Sequence, residues 1–207
     1  MSNPRITAVL FLASAAVLAG CESNPLQVQR SPCPAVAIPT YTGDTTLFTG
    51  SGQDAANIDV VATMTNVREA CSETTESFTS DITYDVVARR TSAAGARTVT
   101  LPVFATVVQG GNLLVSKQVG AVNVDFADGQ ARAIGKGGAR GTVSRAVATL
   151  PPETLAKINR KRKAGDLDAA VDPLSDPEVR AAIRAASFEV LIGFQLGESA
   201  LAYNVTK

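Results

Sequence analysis

The feature that most restricts the fold of this sequence is a pair of strand-like runs on either side of Gly110-Gly111. Every second side chain of residues 97–109 is apolar, and residues 112–126 continue with strand-forming residues after the turn. A period of two places one face of a strand in a core, and two glycines between such runs favour a tight turn. We therefore predict a β-hairpin of Arg97–Gln109 and Asn112–Phe126, in which the inward side chains of the first strand are Val99, Leu101, Val103, Ala105 and Val107.

Six further runs have β character and are separated by turn residues such as Ala93-Ala94-Gly95 and Asp128-Gly129. The predicted strands are Ala35–Tyr41, Thr45–Thr49, Asn57–Val67, Ser80–Arg90, Gly138–Leu150 and Ser187–Leu196. Many short strands with frequent turn signals are typical of an all-β sandwich. We expect residues 35–207 to form an antiparallel immunoglobulin- or fibronectin-like β-sandwich. Only the architecture is implied, because the chain lacks the tryptophan of antibody domains.

Residues 151–186 interrupt this pattern and predict two short helices inserted before the last strand. The first covers Pro152–Lys163 and carries the basic run Arg160-Lys161-Arg162-Lys163 in its last turn. Proline suits the first position of a helix, and cations suit its last turn. The second helix has Asp176 as its N-cap and Pro177 at its first position.

The glycine-rich segment 135–142 invites comparison with a phosphate-binding loop, but its spacing differs. No Ser or Thr follows Lys136, and Arg140 occupies the place of the third glycine in the dinucleotide-binding pattern. We interpret the segment as a flexible hairpin connection.

The composition excludes several kinds of site. The chain has no histidine, which removes the usual general base of serine and cysteine hydrolases. Residues 166–178 contain five carboxylates, but they lack the glycine and closing glutamate of a calcium-binding EF-hand loop. A formal net charge of +0 argues against general binding of polyanions. We predict no catalytic residue, no metal site, no non-covalent cofactor and no nucleic-acid partner.

The N-terminus combines one cation, Arg5, with an apolar run over residues 6–18 that is too short to span a bilayer. It ends in Leu18-Ala19-Gly20-Cys21. This order resembles the lipobox of bacterial lipoprotein precursors. The resemblance implies that residues 1–20 are cleaved and that Cys21 carries diacylglycerol and an acylated amine. In the best-known sorting system of such lipoproteins, an aspartate after the cysteine retains the protein in the inner membrane. The residue here is Glu22, which favours the outer membrane. The alternatives are an ordinary signal peptide with a coincidental cysteine, or a buried apolar helix.

Two cysteines remain once Cys21 is assigned to lipid. The cell envelope is oxidising, so we predict a disulfide between Cys33 and Cys71. The alternative is two free thiols or a redox pair, although no CxxC spacing supports it. Residues 21–34 contain three prolines and no apolar periodicity, which predicts a tether between the lipid and the domain.

These features favour a non-enzymatic envelope lipoprotein that acts as a scaffold or adaptor. The protein contact would lie on a sheet edge or on the helical insertion. The basic run 160–163 could contact lipid phosphates or an acidic partner, or it could be a solvated helix end. The apolar tail from Ser187 to Lys207 is expected to dock on the sheet, with an exposed partner-binding patch as the alternative.

Two other functions remain open. One is a lipoprotein that binds a lipid or small apolar ligand within the sandwich. The other is a hydrolase that works through paired carboxylates.

Overall fold

A computed structural model of the chain describes residues 32–50 and 52–207. Pro32–Lys207 form one compact unit. The predicted signal peptide, the predicted lipidation site Cys21 and the predicted tether as far as Ser31 lie outside the described residues. Within the described part, two four-stranded sheets and a few short helices make an all-β sandwich.

Each sheet contains four strands, and strands next to each other in the orders below are hydrogen-bonded. The first sheet has the order β1-β8-β5-β6, with β1 at Ala35–Ala37, β8 at Phe188–Phe194, β5 at Arg97–Gln109 and β6 at Leu113–Phe126. The second sheet has the order β2-β3-β4-β7, with β2 at Asp44–Phe48, β3 at Ile58–Glu73, β4 at Ser77–Arg90 and β7 at Arg132–Ser144.

The core lies between the sheets and includes the inward face predicted for β5. The inward side chains of β5 are all buried, as are those of the neighbouring β8, Phe188, Val190, Ile192 and Phe194. From the second sheet, β3 and β4 supply Val60, Ala62, Met64, Ile82, Tyr84, Val86 and Ala88. The predicted hairpin is confirmed, since β5 and β6 pair antiparallel on either side of Gly110-Gly111. Both glycines have positive φ, 63° and 81°, a conformation that glycine adopts without strain.

The pairing of β1 with β8 is parallel, so the prediction of a wholly antiparallel sandwich is wrong at this edge. Val36 lies opposite Val190 in this pair. Parallel neighbours require a long crossover, and here almost the whole domain separates the two strands. β1 is also shorter than the strand predicted over residues 35–41. The chain leaves it at Ala37 and crosses toward the second sheet, where it forms β2.

The glycine-rich segment lies in β7 and is not a hairpin connection. β7 spans residues 132–144, whereas a strand was predicted over residues 138–150. The inner face of β7 carries small residues, because neighbouring groups approach it closely. A Cβ atom on Gly135 would lie 2.6 Å from the carbonyl oxygen of Asn123 on β6. Glycines such as Gly135 are therefore needed for this packing. Because they stand where large apolar side chains would alternate, the sequence of β7 lacks the usual strand pattern.

Four α-helices occur among the described residues: α1 (Arg145–Ala148), α2 (Pro152–Asn159), α3 (Pro177–Ala186) and α4 (Glu198–Thr206). The first three lie between β7 and β8. Of these, α2 and α3 lie in the predicted insertion, residues 151–186, whereas α1 replaces the end of the strand that was predicted over residues 138–150. The side chain of Asp176 accepts the backbone N–H of Glu178 at 2.8 Å, which confirms it as the N-cap of α3. No helix among the described residues has both the length and the apolar character needed to cross a membrane.

The C-terminal tail docks on the strands through α4, a helix that the sequence pattern did not predict. Asn204 is buried, and its Nδ2 donates to the carbonyl oxygens of Tyr41 and Asp44, each at 2.8 Å. The ring of Tyr203 meets that of Phe48 edge-on, with 5.0 Å between centroids. These contacts attach the end of the chain to β2 and to the connection that precedes it.

Candidate functional site

The free edge of β6 is the largest exposed apolar feature of the first sheet. In the part of the chain that the structure describes, β6 pairs with β5 alone, so its other edge has no neighbouring strand. Residues 113–121 are exposed on both faces of the sheet. Their large aliphatic members are 51–63 % exposed, namely Leu113, Leu114, Val115 and Val119. We call this stretch, residues 113–121, the β6 edge.

The β6 edge is exposed because only the second half of β6 is covered by the other sheet. Val122, Val124 and Phe126 face inward and are buried. β7 approaches β6 closely near Asn123, where Gly135 leaves room for it. The first half of β6, residues 113–121, extends beyond this contact, and both of its faces are exposed to solvent.

The predicted disulfide is confirmed and attaches the beginning of the described chain to β3. Cys33 and Cys71 are bonded, with their Cα atoms 6.3 Å apart. Cys71 lies within β3, opposite Ser80 of β4, and not beyond the end of the strand as the sequence suggested. The bond closes a loop with a sequence separation of 38 residues.

The basic run Arg160–Lys163 is partly neutralised by the acidic connection that follows it. α2 ends at Asn159, and Arg160 is already extended, with φ −57° and ψ 120°. The prediction that the run forms the last turn of the helix is therefore wrong. Arg160 forms an ion pair with Asp168, and Nε of Arg162 lies 3.7 Å from the same carboxylate. The extended chain brings both arginines to Asp168.

The two lysines of the run are exposed and make no ion pair with a described carboxylate. A related ion pair joins α2 to α3, where Lys157 lies 3.0 Å from Glu178 and 3.7 Å from Asp176. The hydrogen bond to Glu178, followed by the attraction of Glu178 and Asp176, raises the pKa of Lys157. The backbone N–H of Glu178 is the main cause that lowers the pKa of Asp176. These charges stabilise the helical insertion, and within the run Arg160–Lys163 only Lys161 and Lys163 remain for an external anion.

Arg90, at the end of β4, is a buried cation without a carboxylate partner among the described residues. It is 2 % exposed, and its guanidinium lies 5.1 Å from the ring centre of Phe126. It donates at 2.6–2.9 Å to four carbonyl oxygens, those of Ala93, Gly95, Ala127 and Gln130. Arg90 thereby ties the β4–β5 connection to the β6–β7 connection.

Two concavities among the described residues lie outside the sandwich core. One, of about 440 Å³, lies against the outer face of the second sheet and includes Arg89 and Arg132. The other, of about 240 Å³, lies beside Arg160 and Asp168. Within residues 32–50 and 52–207, no group of three or more His, Cys, Asp or Glu side chains is arranged to hold a metal ion.

Sequence reasoning missed the β6 edge and the concavity with Arg89 and Arg132. The sequence showed the strand-forming pattern of β6. It did not show which half of the strand the second sheet leaves uncovered. Arg132 was placed between strands, so its position opposite Arg89 could not be foreseen. The tandem Arg89-Arg90 at the end of a predicted strand was the available signal.

Comparison of the chain with known protein families, with curated proteins and with solved structures finds no match.

Proposed function

We propose that this chain is a lipid-anchored protein of the bacterial cell envelope, held in the outer membrane by acyl chains on Cys21, that acts as a non-enzymatic scaffold or adaptor. The lipobox resemblance of residues 18–21 is the reason for the anchor. The bond between Cys33 and Cys71 supports the envelope as its compartment, because disulfides persist in oxidising environments. The immunoglobulin- or fibronectin-like architecture is part of this proposal, and the two packed four-stranded sheets support it.

The β6 edge is the single observation that carries the adaptor function. A strand with one unpaired side offers a row of backbone N–H and C=O groups to an extended segment of another protein. Scattered exposed aliphatic residues are normal, but here four of them lie within seven residues, Leu113–Val119, of one edge strand. Lys117 is the one charged residue in residues 113–121, and its ammonium lies 5.6 Å from the ring centre of Phe104. The partner we propose is an extended, largely apolar segment of a second envelope protein, added as a strand beside β6.

A ligand between the sheets is the weaker of the two non-enzymatic functions that the sequence suggested. The inward positions of both sheets are filled by side chains, with Val60, Leu101, Val124 and Ile192 fully buried. A lipid in that space would have to displace them, at a cost that well-packed cores resist.

Photo-crosslinking from the β6 edge tests the proposal in the natively lipidated protein. A photoreactive amino acid in place of Val119 is expected to give one discrete adduct in intact cells. The matched control carries the same amino acid in place of Thr83, an exposed residue on the central strand β4 of the other sheet. Equal adducts from the two positions, or no adduct from either, would argue against a partner at this edge.

The anchor and the edge are separated by two further variants. Cys21→Ser is expected to abolish incorporation of a labelled fatty acid and to weaken the adduct by mislocalising the protein. Val119→Lys combined with Leu114→Lys is expected to abolish the interaction while changing the free energy of unfolding by less than about 0.5 kcal/mol, because both side chains are exposed. Fatty-acid incorporation into Cys21→Ser would contradict the anchor alone.

A further inference from the structure

Two arginines face each other directly across the outer face of the second sheet. Arg89 on β4 is the register partner of Arg132 on β7, and both side chains are exposed. Like charges directly opposite on neighbouring strands destabilise a sheet. Such a pair is therefore a feature that folding alone does not favour.

Several other arginines of the domain have carboxylate partners, whereas Arg89 and Arg132 have none among the described residues. Arg97 lies 3.0 Å from Asp59, Arg140 2.5 Å from Asp81 and Arg145 3.1 Å from Glu73. Neither Arg89 nor Arg132 makes a side-chain hydrogen bond or an ion pair within the described chain. The adjacent Arg90 also has no carboxylate partner, and its guanidinium donates hydrogen bonds to backbone carbonyl oxygens. The positive charge is therefore concentrated at this end of the sheet.

The pair borders a groove whose other surfaces are mostly apolar. The groove is open to solvent and has a volume of about 440 Å³, and its lining includes Ile58, Val61 and Val87 beside Arg89 and Arg132. Val61 and Val87 are 37 % and 41 % exposed in this groove. Small-ligand sites characteristically combine apolar walls with a few polar groups that set orientation, and a volume of several hundred Å³ is in their usual range.

We propose that this groove binds a small amphiphilic phosphate monoester, its phosphate held between Arg89 and Arg132 and its apolar body on Val61 and Val87. A phosphate monoester carries a charge of about −1.5 to −2 at neutral pH, which matches two guanidinium groups better than a carboxylate does. Guanidinium groups bind phosphate oxygens through paired N–H donors. This site is distinct from the β6 edge and does not depend on the adaptor function or on the lipid anchor.

Calorimetric titration of the unlipidated full chain, carrying Cys21→Ser, with octyl phosphate tests the site. We expect saturable binding of one equivalent and a rise in the melting temperature with ligand concentration. Octanoate and inorganic phosphate should each bind more weakly, and octyltrimethylammonium should not bind. Equal binding of the cationic amphiphile, or no saturable binding of octyl phosphate, would overturn the proposal.

Variants of the pair localise the ligand. Arg89→Gln with Arg132→Gln is expected to weaken octyl phosphate about tenfold or more, whereas Arg89→Lys with Arg132→Lys should retain part of the affinity. The matched control Arg140→Gln changes an exposed arginine on the same face and strand, and it should leave the affinity unchanged. The glutamine pair is expected to be at least as stable as the native protein, since it removes the like-charge repulsion. If the double variant Arg89→Gln with Arg132→Gln is folded and binds octyl phosphate with unchanged affinity, the proposal is overturned.

A final arm separates a dissolved ligand from a membrane surface. Vesicles of phosphatidylcholine with and without phosphatidic acid present the same phosphate chemistry in a bilayer. The groove is sized for one molecule, so binding of monomeric octyl phosphate is the expected result. Binding confined to phosphatidic acid vesicles would overturn it in favour of a membrane-binding face.

Discussion

The ring of Tyr84 lies directly against Gly137, its register partner on the inner face of the β4–β7 pair. A Cβ atom on Gly137 would overlap Cε2 of that ring, which is buried. We therefore expect Gly137→Ala to reduce the free energy of unfolding by about 1–3 kcal/mol, the usual cost of overpacking a core. Urea denaturation of the two proteins measures the difference.

Gly120→Ala is the matched control for this prediction. Gly120 also lies in a strand, but a Cβ atom there would meet only Val103, at an ordinary distance of 3.9 Å. Alanine restricts the unfolded chain at no steric cost in such a place, so we expect an unchanged or slightly higher stability. Equal losses in the two variants would show that the contact with Tyr84 is not the cause.

Burial of Tyr84 makes stability depend on alkaline pH. Desolvation raises the pKa of its hydroxyl above the usual value for tyrosine. Above about pH 10 the unfolded chain releases a proton that the folded chain keeps, so the unfolded state binds fewer protons and stability falls as pH rises. Below that pH the hydroxyl of Tyr84 is protonated in both states, and its contribution to the free energy of unfolding is fully present.

The variant Tyr84→Phe is expected to flatten this part of the pH profile. The free energy of unfolding should be compared between about pH 8 and pH 11 for both proteins. Groups that titrate equally in both proteins cancel in the difference. A slope that is the same with and without the hydroxyl would contradict the assignment.

The disulfide should make a large contribution to the stability of the domain. A bond with a sequence separation of 38 residues contributes about 4 kcal/mol in the chain-entropy model. The double variant Cys33→Ser with Cys71→Ser should lose roughly this amount in urea denaturation. A reductant should lower the stability of the native protein but leave the double variant unchanged. An identical midpoint for native and double-variant proteins would contradict the contribution.

Arg90 should be far more important for stability than the adjacent Arg89. Replacing Arg90 by Gln removes donors from buried carbonyl oxygens, and we expect a loss of about 3 kcal/mol. Arg89→Gln changes an exposed side chain and should alter the free energy of unfolding by no more than about 0.5 kcal/mol. Similar losses from the two substitutions, measured by thermal and urea unfolding, would show that the four carbonyl contacts of Arg90 are not what stabilises the connecting loops.

The success of prediction from sequence depended on whether a signal was local. The β5–β6 hairpin was predictable because two glycines and an alternating run lie side by side in the chain. The N-cap of α3 was predictable because Asp176 caps residues that follow it directly. The start of β7 was missed, because its inner face carries glycine where the alternation should show large apolar side chains. Those glycines are required by Tyr84 and Asn123, which are distant in sequence.

The amino-acid sequence by itself determined the β class of the domain, the inward face of β5, and the pairing of Cys33 with Cys71. These follow from short-range periodicity, turn chemistry and the small number of cysteines. Only the tertiary structure decided that half of β6 extends beyond the second sheet and that Arg89 stands opposite Arg132. Both facts depend on strand order and register, which result from packing between segments far apart in the chain and leave no local periodic signal.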